Sequence, residues 1–309
     1  MKYFSNIRKL GVGINYQNAF IPILESHKYL IDFIEISPDI LCEERWNGKS
    51  RVLELHPKRL ETALHWGRKF PVVVHGLGLS IGTASGWNQS YIDLLDSFHR
   101  AQKFHWHSEH LGFLQTKLND GQLVNAGVQL PLPFTNEALD IICPRINQLC
   151  ARYNTPFLLE NTTHYLPGMP NDNMDEIDFL NQILQRTECG LILDLYNLYC
   201  NALNFGFDVM EALRRLELSR VVEIHIAGGV SQEDIQMDIH SEIVPEPVWE
   251  MLEWTLDNAS NVSAITYELL EQALNIVKEE GIAAQLNRAQ QLWKNYIKSN
   301  QQEVLDVVA

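Results

Sequence analysis

No two of the five cysteines in this 309-residue sequence, Cys42, Cys143, Cys150, Cys189 and Cys200, are spaced C-x-x-C. An odd, scattered set argues against a disulfide framework and reads as reduced thiols, most of them buried. No stretch approaches the roughly 20 apolar residues of a membrane span. Basic residues are scarce: 24 Lys and Arg stand against 39 Asp and Glu, a formal charge of −15. Such a surface repels phosphate backbones and argues against general nucleic-acid binding. It leaves room for a basic or neutral partner, and bound cations would neutralise part of the charge. The start, Met1-Lys2-Tyr3-Phe4-Ser5-Asn6, has no apolar core of the kind a signal peptide needs, so the expectation is a cytoplasmic protein. Low-complexity tracts, charge blocks and linkers are missing too, and one domain over residues 1–309 is expected.

What is present is alternation. Short β-rich runs fall at Gly11–Ile14, Asp32–Ser37, Pro71–His75, Phe104–His110, Pro156–Glu160, Gly190–Asp194, Arg220–His225 and Ala264–Glu268. Amphipathic helical patterns lie between them, at Asn18–Leu30, Pro57–Arg68, Asn88–Gln102, Asn136–Tyr153, Asp175–Arg186, Asp208–Leu216 and Pro247–Asn258, with a last helix over about 271–297 closing the barrel. Pro57 and Pro247 sit where a first helical turn tolerates proline. Val72-Val73-Val74 and Leu191-Ile192-Leu193 are apolar throughout, as strands buried on both faces are. Eight strand–helix units in this length predict an α/β fold, the (β/α)8 TIM barrel. An open doubly wound sheet is the alternative.

The strand ends carry the chemistry. Six consecutive runs finish in a histidine or carboxylate: His75, Glu109-His110, Glu160 (followed by Asn161), Asp194, His225 and Glu268. In a barrel those ends surround one axis on the face where active sites form. Asn197 lies three residues after Asp194, so a turn could aim both at one ion. Asp238 and His240 are two apart, and alternate residues of an extended segment share a side. Glu160, Asp194, Asp238 and Glu268 would crowd four carboxylates into one pocket, where like charges raise each other's pKa and burial costs several kcal/mol each. Multivalent cations resolve both problems. Four histidines interleaved with four carboxylates, and no cysteine, suit iron, manganese or zinc.

Other residues carry plainer expectations. His27, His56, His65 and His99 lie on helical or loop stretches and are expected to be solvated. His105 and His107 should turn toward the helices if His110 points inward. His164 is either loop filler or a partner behind the ligands, and Glu35 could join the site from strand two. His75-Gly76-Leu77-Gly78-Leu79-Ser80-Ile81-Gly82 is not the dinucleotide pattern G-x-G-x-x-G; its glycines are expected to let the backbone pass close to the ions.

Seven runs occur in order: His75-Gly76-Leu77-Gly78-Leu79-Ser80, Ser108-Glu109-His110-Leu111, Leu130-Pro131-Leu132-Pro133-Phe134-Thr135, Leu158-Leu159-Glu160-Asn161, Leu193-Asp194-Leu195-Tyr196-Asn197-Leu198-Tyr199, Glu223-Ile224-His225-Ile226-Ala227-Gly228 and Asp238-Ile239-His240. Together they resemble the multinuclear non-heme iron-dependent oxidative enzymes, over about Gly11 to Glu268. The resemblance implies a xylose isomerase-like barrel, of the kind also seen in endonuclease IV, holding two or three iron ions (Fe2+/Fe3+). It implies one iron on His75, His110 and Glu160, a second bridged by Glu160 and completed by Asp194, His225 and Glu268, and a third on Asn197, Asp238 and His240. It further implies a ribosomally made precursor peptide as substrate, modified at cysteine with dioxygen as co-substrate, and a separate peptide-recognition partner protein. The chain departs from the family pattern at Gly229, where a histidine is frequent, at Ser37 and Ile40 after strand two, and at Thr162-Thr163-His164 after strand five. None of these touches the implied ligands.

The expected reaction is oxidation beside the sulfur of a substrate cysteine whose thiolate meets the metal centre. Two other classes stay open on the residues alone: a hydrolase or isomerase using the metals as Lewis acids, and a non-catalytic metal-binding protein.

Overall fold

Val72, Val73 and Val74 are buried, as are Leu191, Ile192 and Leu193, which is what strands covered on both faces require. They belong to a computed structural model that describes Phe4, residues 7–46, Gly48, residues 51–118 and residues 120–308. Met1, Lys2, Tyr3, Ser5 and Asn6 lie outside the described residues, and with them most of the segment read for a signal peptide. Eight parallel strands run in the order of the chain: β1 (Gly11–Asn15), β2 (Phe33–Ile36), β3 (Val72–Gly76), β4 (His107–His110), β5 (Phe157–Glu160), β6 (Gly190–Asp194), β7 (Val221–Ile226) and β8 (Ala264–Tyr267). Their sheet order, β1-β8-β7-β6-β5-β4-β3-β2, closes a barrel in which sequential strands are neighbours. The fold is therefore the (β/α)8 barrel, and the open doubly wound sheet is excluded.

The helices are α1 (Ile21–Ser26), α2 (Pro57–Gly67), α3 (Gln89–Ala101), α4 (Asn136–Arg152), α5 (Glu176–Arg186), α6 (Leu195–Phe205), α7 (Val209–Arg215), α8 (Glu246–Asn258) and α9 (Leu274–Val308). Their starts follow local chemistry. Asn88, Thr135, Asp194 and Asp208 each accept a backbone N–H of the first turn, and Asp175 with Asp178 forms a reciprocal capping pair. Pro57 and Pro247 occupy first-turn positions, as expected. Among the described residues, no helix is long and apolar enough to cross a membrane.

The chain divides into two compact units, Ile34–Leu191 and Met1–Phe33 with Ile192–Ala309. In the first, the register sets His75 beside Ser108 and His110 beside Glu160. In the second, His225 stands beside Thr266 and Gly11 beside Ala264. Within that unit a Cβ on Gly13 would lie 2.5 Å from the ring of Phe33, so only glycine leaves room for this fully buried aromatic.

Several elements differ from expectation. Asn18–Leu30 is not one helix but a 3-10 turn, α1 and a second 3-10 turn; His27 at φ −115° breaks the helix, and Ser26 Oγ donates back to Pro22 O at 2.6 Å. The last helix begins as a 3-10 turn at Glu271–Ala273, and Lys278 interrupts α9 with φ 59°. Sequence reading missed α6, which starts at the residue after β6 with Asp194 as its cap. It also missed hairpins pairing Cys42–Trp46 with Arg51–Leu55 and Gly112–Lys117 with Leu123–Pro131, and a short ribbon of Ser231–Gln232 with Ile235–Gln236.

Candidate metal centre

In the unit Ile34–Leu191, three strands end on one point. His75 near the end of β3, His110 at the end of β4 and Glu160 at the end of β5 each place a ligand atom within 4.8 Å of the others'. The two imidazoles approach the same carboxylate oxygen: Nε2 of His75 is 3.0 Å and Nε2 of His110 3.1 Å from Oε2 of Glu160. The far nitrogens are fastened. Ser108 Oγ donates to Val74 O at 2.9 Å, so it accepts from His75 Nδ1, also at 2.9 Å. His110 Nδ1 lies 3.1 Å from Gly76 O, a carbonyl that can only accept. Both Nδ1 atoms therefore carry hydrogen, and both Nε2 atoms face the carboxylate.

The other unit repeats the theme. One ligand atom each from Asp194, His225 and Glu268 lies within 4.8 Å of the others. Glu268 Oε2 receives two imidazoles, His225 Nδ1 at 3.3 Å and His240 Nδ1 at 3.4 Å, and His240 Nε2 lies 2.6 Å from Asp238 Oδ1. Asp238 and His240 do converge, but not by extended alternation. His240 is left-handed at φ 44°, and this twist turns its ring onto Asp238 and Glu268. Likewise Asp194 and Asn197 are brought together by a helix start rather than a turn: Asp194 Oδ1 accepts from Asn197 N at 2.7 Å, and both residues are buried.

The donor set fits a cation. Two neutral imidazoles with Nδ1–H would aim lone pairs at an anionic oxygen, which is repulsive. Two imidazolium rings would stand with centroids 4.5 Å apart, also repulsive. Burial disfavours the His110 cation, yet Glu160 and Glu109 outweigh burial and push it up to about 10. His75 is raised in the same way, by Glu160 and Glu35 against burial. His240 is pushed up to about 10 by Asp238 and Glu268, again against burial. Multivalent cations between these groups satisfy every lone pair at once, and histidine with its second nitrogen fixed is how metal ligands are ordinarily oriented. Nitrogen and oxygen donors without cysteine suit iron, manganese or zinc.

Glu35 is buried in β2 and raises His75, so it backs the first group of ligands. His164 is buried edge-on to Phe134, with ring centroids 5.8 Å apart, and burial lowers its pKa. His107 faces the helices as expected, packed on Tyr153, Phe104 and Phe157. His65 is exposed, whereas His27 pairs with Glu279 at 3.0 Å and His56 caps α2. Cys143, Cys189 and Cys200 are buried, and no disulfide joins the cysteines. The glycines after His75 are closely packed: a Cβ on Gly76 would run into Tyr91 Oη, one on Gly78 into Asp39 Oδ1 and one on Gly82 into Leu132 Cδ2.

Three supporting residues escaped sequence reading. Ser108 fixes His75. Glu223, fully buried, lies 3.6 Å from His225 Nε2 and accepts from Thr266 Oγ1 at 2.5 Å. Both were findable, because each precedes a candidate histidine by two residues on a strand and so shares its face. Tyr196, whose ring centroid is 6.5 Å from that of His240, carried no such signal.

The sequence model of the family described as RiPP precursor modification enzyme MbnB/TglH/ChrH matches residues 11–294. A UPF0276 protein of Caulobacter vibrioides (strain NA1000 / CB15N) is 30% identical over 284 residues, covering 92% of this chain and 93% of the relative. One from Nitrosospira multiformis is 30% identical over 278 residues, covering 89% and 90%. Among solved structures, the IolI protein with a bound zinc atom superposes with a TM-score of 0.54 at 11% identity, over 94% of this chain and 99% of that one. A sugar phosphate isomerase/epimerase from Parabacteroides distasonis gives 0.53 at 11% identity, over 94% and 97%. These likenesses are of fold.

Proposed function

Because this chain belongs to the RiPP precursor modification enzyme family MbnB/TglH/ChrH, we propose that it is a multinuclear iron-dependent oxidase that uses dioxygen to modify a ribosomally made precursor peptide at cysteine. The observation that carries the metal part is the meeting of two imidazoles on one carboxylate oxygen, made once at Glu160 and once at Glu268. His75, His110 and Glu160 would hold one iron. Asp194, His225 and Glu268 would hold a second, with Glu160 shared. Asn197, Asp238 and His240 would hold a third. Bound iron would supply the redox chemistry toward dioxygen and bind the substrate thiolate.

The chain's own residues do the rest. Ser108 and the Gly76 carbonyl keep His75 and His110 in one tautomer and one orientation. The protein's acid excess suits a neutral or basic peptide better than a polyanion, and a separate recognition protein would deliver that peptide. The decisive experiment is metal analysis with Mössbauer spectra on protein purified without oxygen, followed by dioxygen uptake with a cysteine-bearing peptide. Iron-dependent uptake that requires the cysteine supports the proposal. Full activity of metal-free protein reloaded with zinc, or turnover without oxygen, overturns it in favour of Lewis-acid chemistry.

A further inference from the structure

The segment bearing Asp238 and His240 is gripped from outside itself, and we propose that Tyr196 and Asn204 of α6 are positioning residues that decide whether the Asn197, Asp238 and His240 group takes an ion. The proposal rests on the third-ion reading above.

Four hydrogen bonds form the grip. Asn204 Oδ1 accepts from Gln236 N at 2.7 Å while its Nδ2 donates to Gln236 O at 3.0 Å. One side chain thus closes both backbone groups of a residue two positions before Asp238. Tyr196 Oη donates to Met237 O at 3.2 Å and accepts from Gln236 Nε2 at 2.8 Å. A Cβ on Gly229 would lie 2.7 Å from that hydroxyl and would run into Met237 O. Glycine at 229 therefore leaves the space that the tyrosine grip occupies.

Geometry gives the grip a purpose. Left-handed backbone at a non-glycine residue persists only when its surroundings over-determine it, and His240 has φ 44°. Downstream it is held by Leu270 N donating to His240 O at 3.0 Å. Upstream, the hold is Met237 N donating to Val230 O at 2.9 Å, together with Tyr196 and Asn204. Asn197 and Asn204 are seven residues apart on α6, two turns and about 10 Å of rise, so they share a face. The same helix is capped by Asp194. α6 therefore sets the spacing between Asp194 and Asn197 at one end and the Asp238 and His240 pair at the other.

The test compares wild-type protein with Asn204→Ala, Tyr196→Phe and Asp238→Ala, each purified without oxygen. Two quantities are read: the iron-to-protein ratio over a titration with Fe(II), and amide hydrogen exchange of residues 235–241 in metal-free protein. Expected are faster exchange in Asn204→Ala and Tyr196→Phe, and a weakest iron whose affinity falls by about tenfold or more in Asn204→Ala, the size expected for two lost hydrogen bonds. The more tightly held irons should stay. Asp238→Ala should lose that same weakest iron outright. Faster exchange with unchanged iron affinity would show a merely structural grip and overturn the proposal, as would unchanged exchange. An iron ratio in Asp238→Ala equal to wild type would instead remove the third-ion reading, and the proposal would fall with it.

Discussion

The two places where a pair of imidazoles shares one carboxylate oxygen are built by different means. Around Glu160 every ligand sits at or beside a strand end, and both histidines present Nε2 while Nδ1 is tied to Ser108 or to the Gly76 carbonyl. Around Glu268 only His225 and Asp194 are strand-borne, both histidines present Nδ1, and His240 arrives on a loop at positive φ. A strand fixes where its side chains point through its pleat and its neighbours' register. A loop does so only through contacts made elsewhere, here with α6. The first group should therefore behave as one rigid unit, and the second as a rigid pair with a detachable member.

The sharpest way to break the comparison is Glu160→Gln. The change keeps shape but removes the charge that both His75 and His110 approach, and with it the shared carboxylate. If the proposed function holds, metal content should fall by more than one ion, and peptide oxidation by at least about a thousandfold, as expected when a metal's Lewis-acid and redox contribution is lost. Elemental analysis decides it, and a wild-type metal ratio in this variant would sink the bridging role.

His240→Ala should be smaller in scope. It removes the loop-borne member, so about one ion should leave while the Glu160 group stays loaded, with activity down on the order of a hundredfold. If all metal leaves together, the two groups are not separable and do not differ in rigidity. Ser108→Ala is milder again. It leaves every ligand in place but frees the tautomer of His75, which should weaken metal affinity about 10–100-fold at the Glu160 group alone. Competition with a chelator measures it. An equal weakening of the most loosely held ion would contradict the assignment of Ser108 to one group.

The same contrast explains what could be read from sequence. Strand-borne ligands announce themselves, because an apolar run such as Leu191-Ile192-Leu193 ending in Asp194 marks both the strand and its terminus. The barrel and the strand-end residues His75, His110, Glu160, Asp194, His225 and Glu268 were legible for that reason. Asp238 and His240 are legible as a pair, but their two-residue spacing implies extended backbone, whereas His240 is left-handed. α6 was hidden because most of its early residues are buried, so Leu195-Tyr196-Asn197-Leu198 shows no polar face to set a helical period. The Gly112–Pro131 hairpin was overlooked despite Asp120-Gly121, a strong turn signal, because strict strand–helix alternation left no place for it.

The smallest effect concerns a histidine three residues from His110 on the same strand but facing the other way. His107 is buried against Tyr153, Phe104 and Phe157, and burial lowers it from 6.5 to about 3. The unfolded chain takes up this proton below pH 6.5, the folded chain only near 3. Between those values the unfolded state binds more protons, so stability is complete above 6.5 and falls as pH drops toward 3, by on the order of 4 kcal/mol for this group. His107→Phe keeps an aromatic ring in the same packing and removes the titration. At pH 7.5 it should cost only about 1 kcal/mol, for the hydrogen bond to the Leu149 backbone, and leave metal content unchanged. Denaturant midpoints measured from pH 7.5 to 4 should fall less steeply in this variant than in wild type. Identical slopes would mean that His107 is charged in the fold. A loss of metal would mean that the strand's two faces are coupled, and that the Glu160 group is less self-contained than its strand-borne ligands imply.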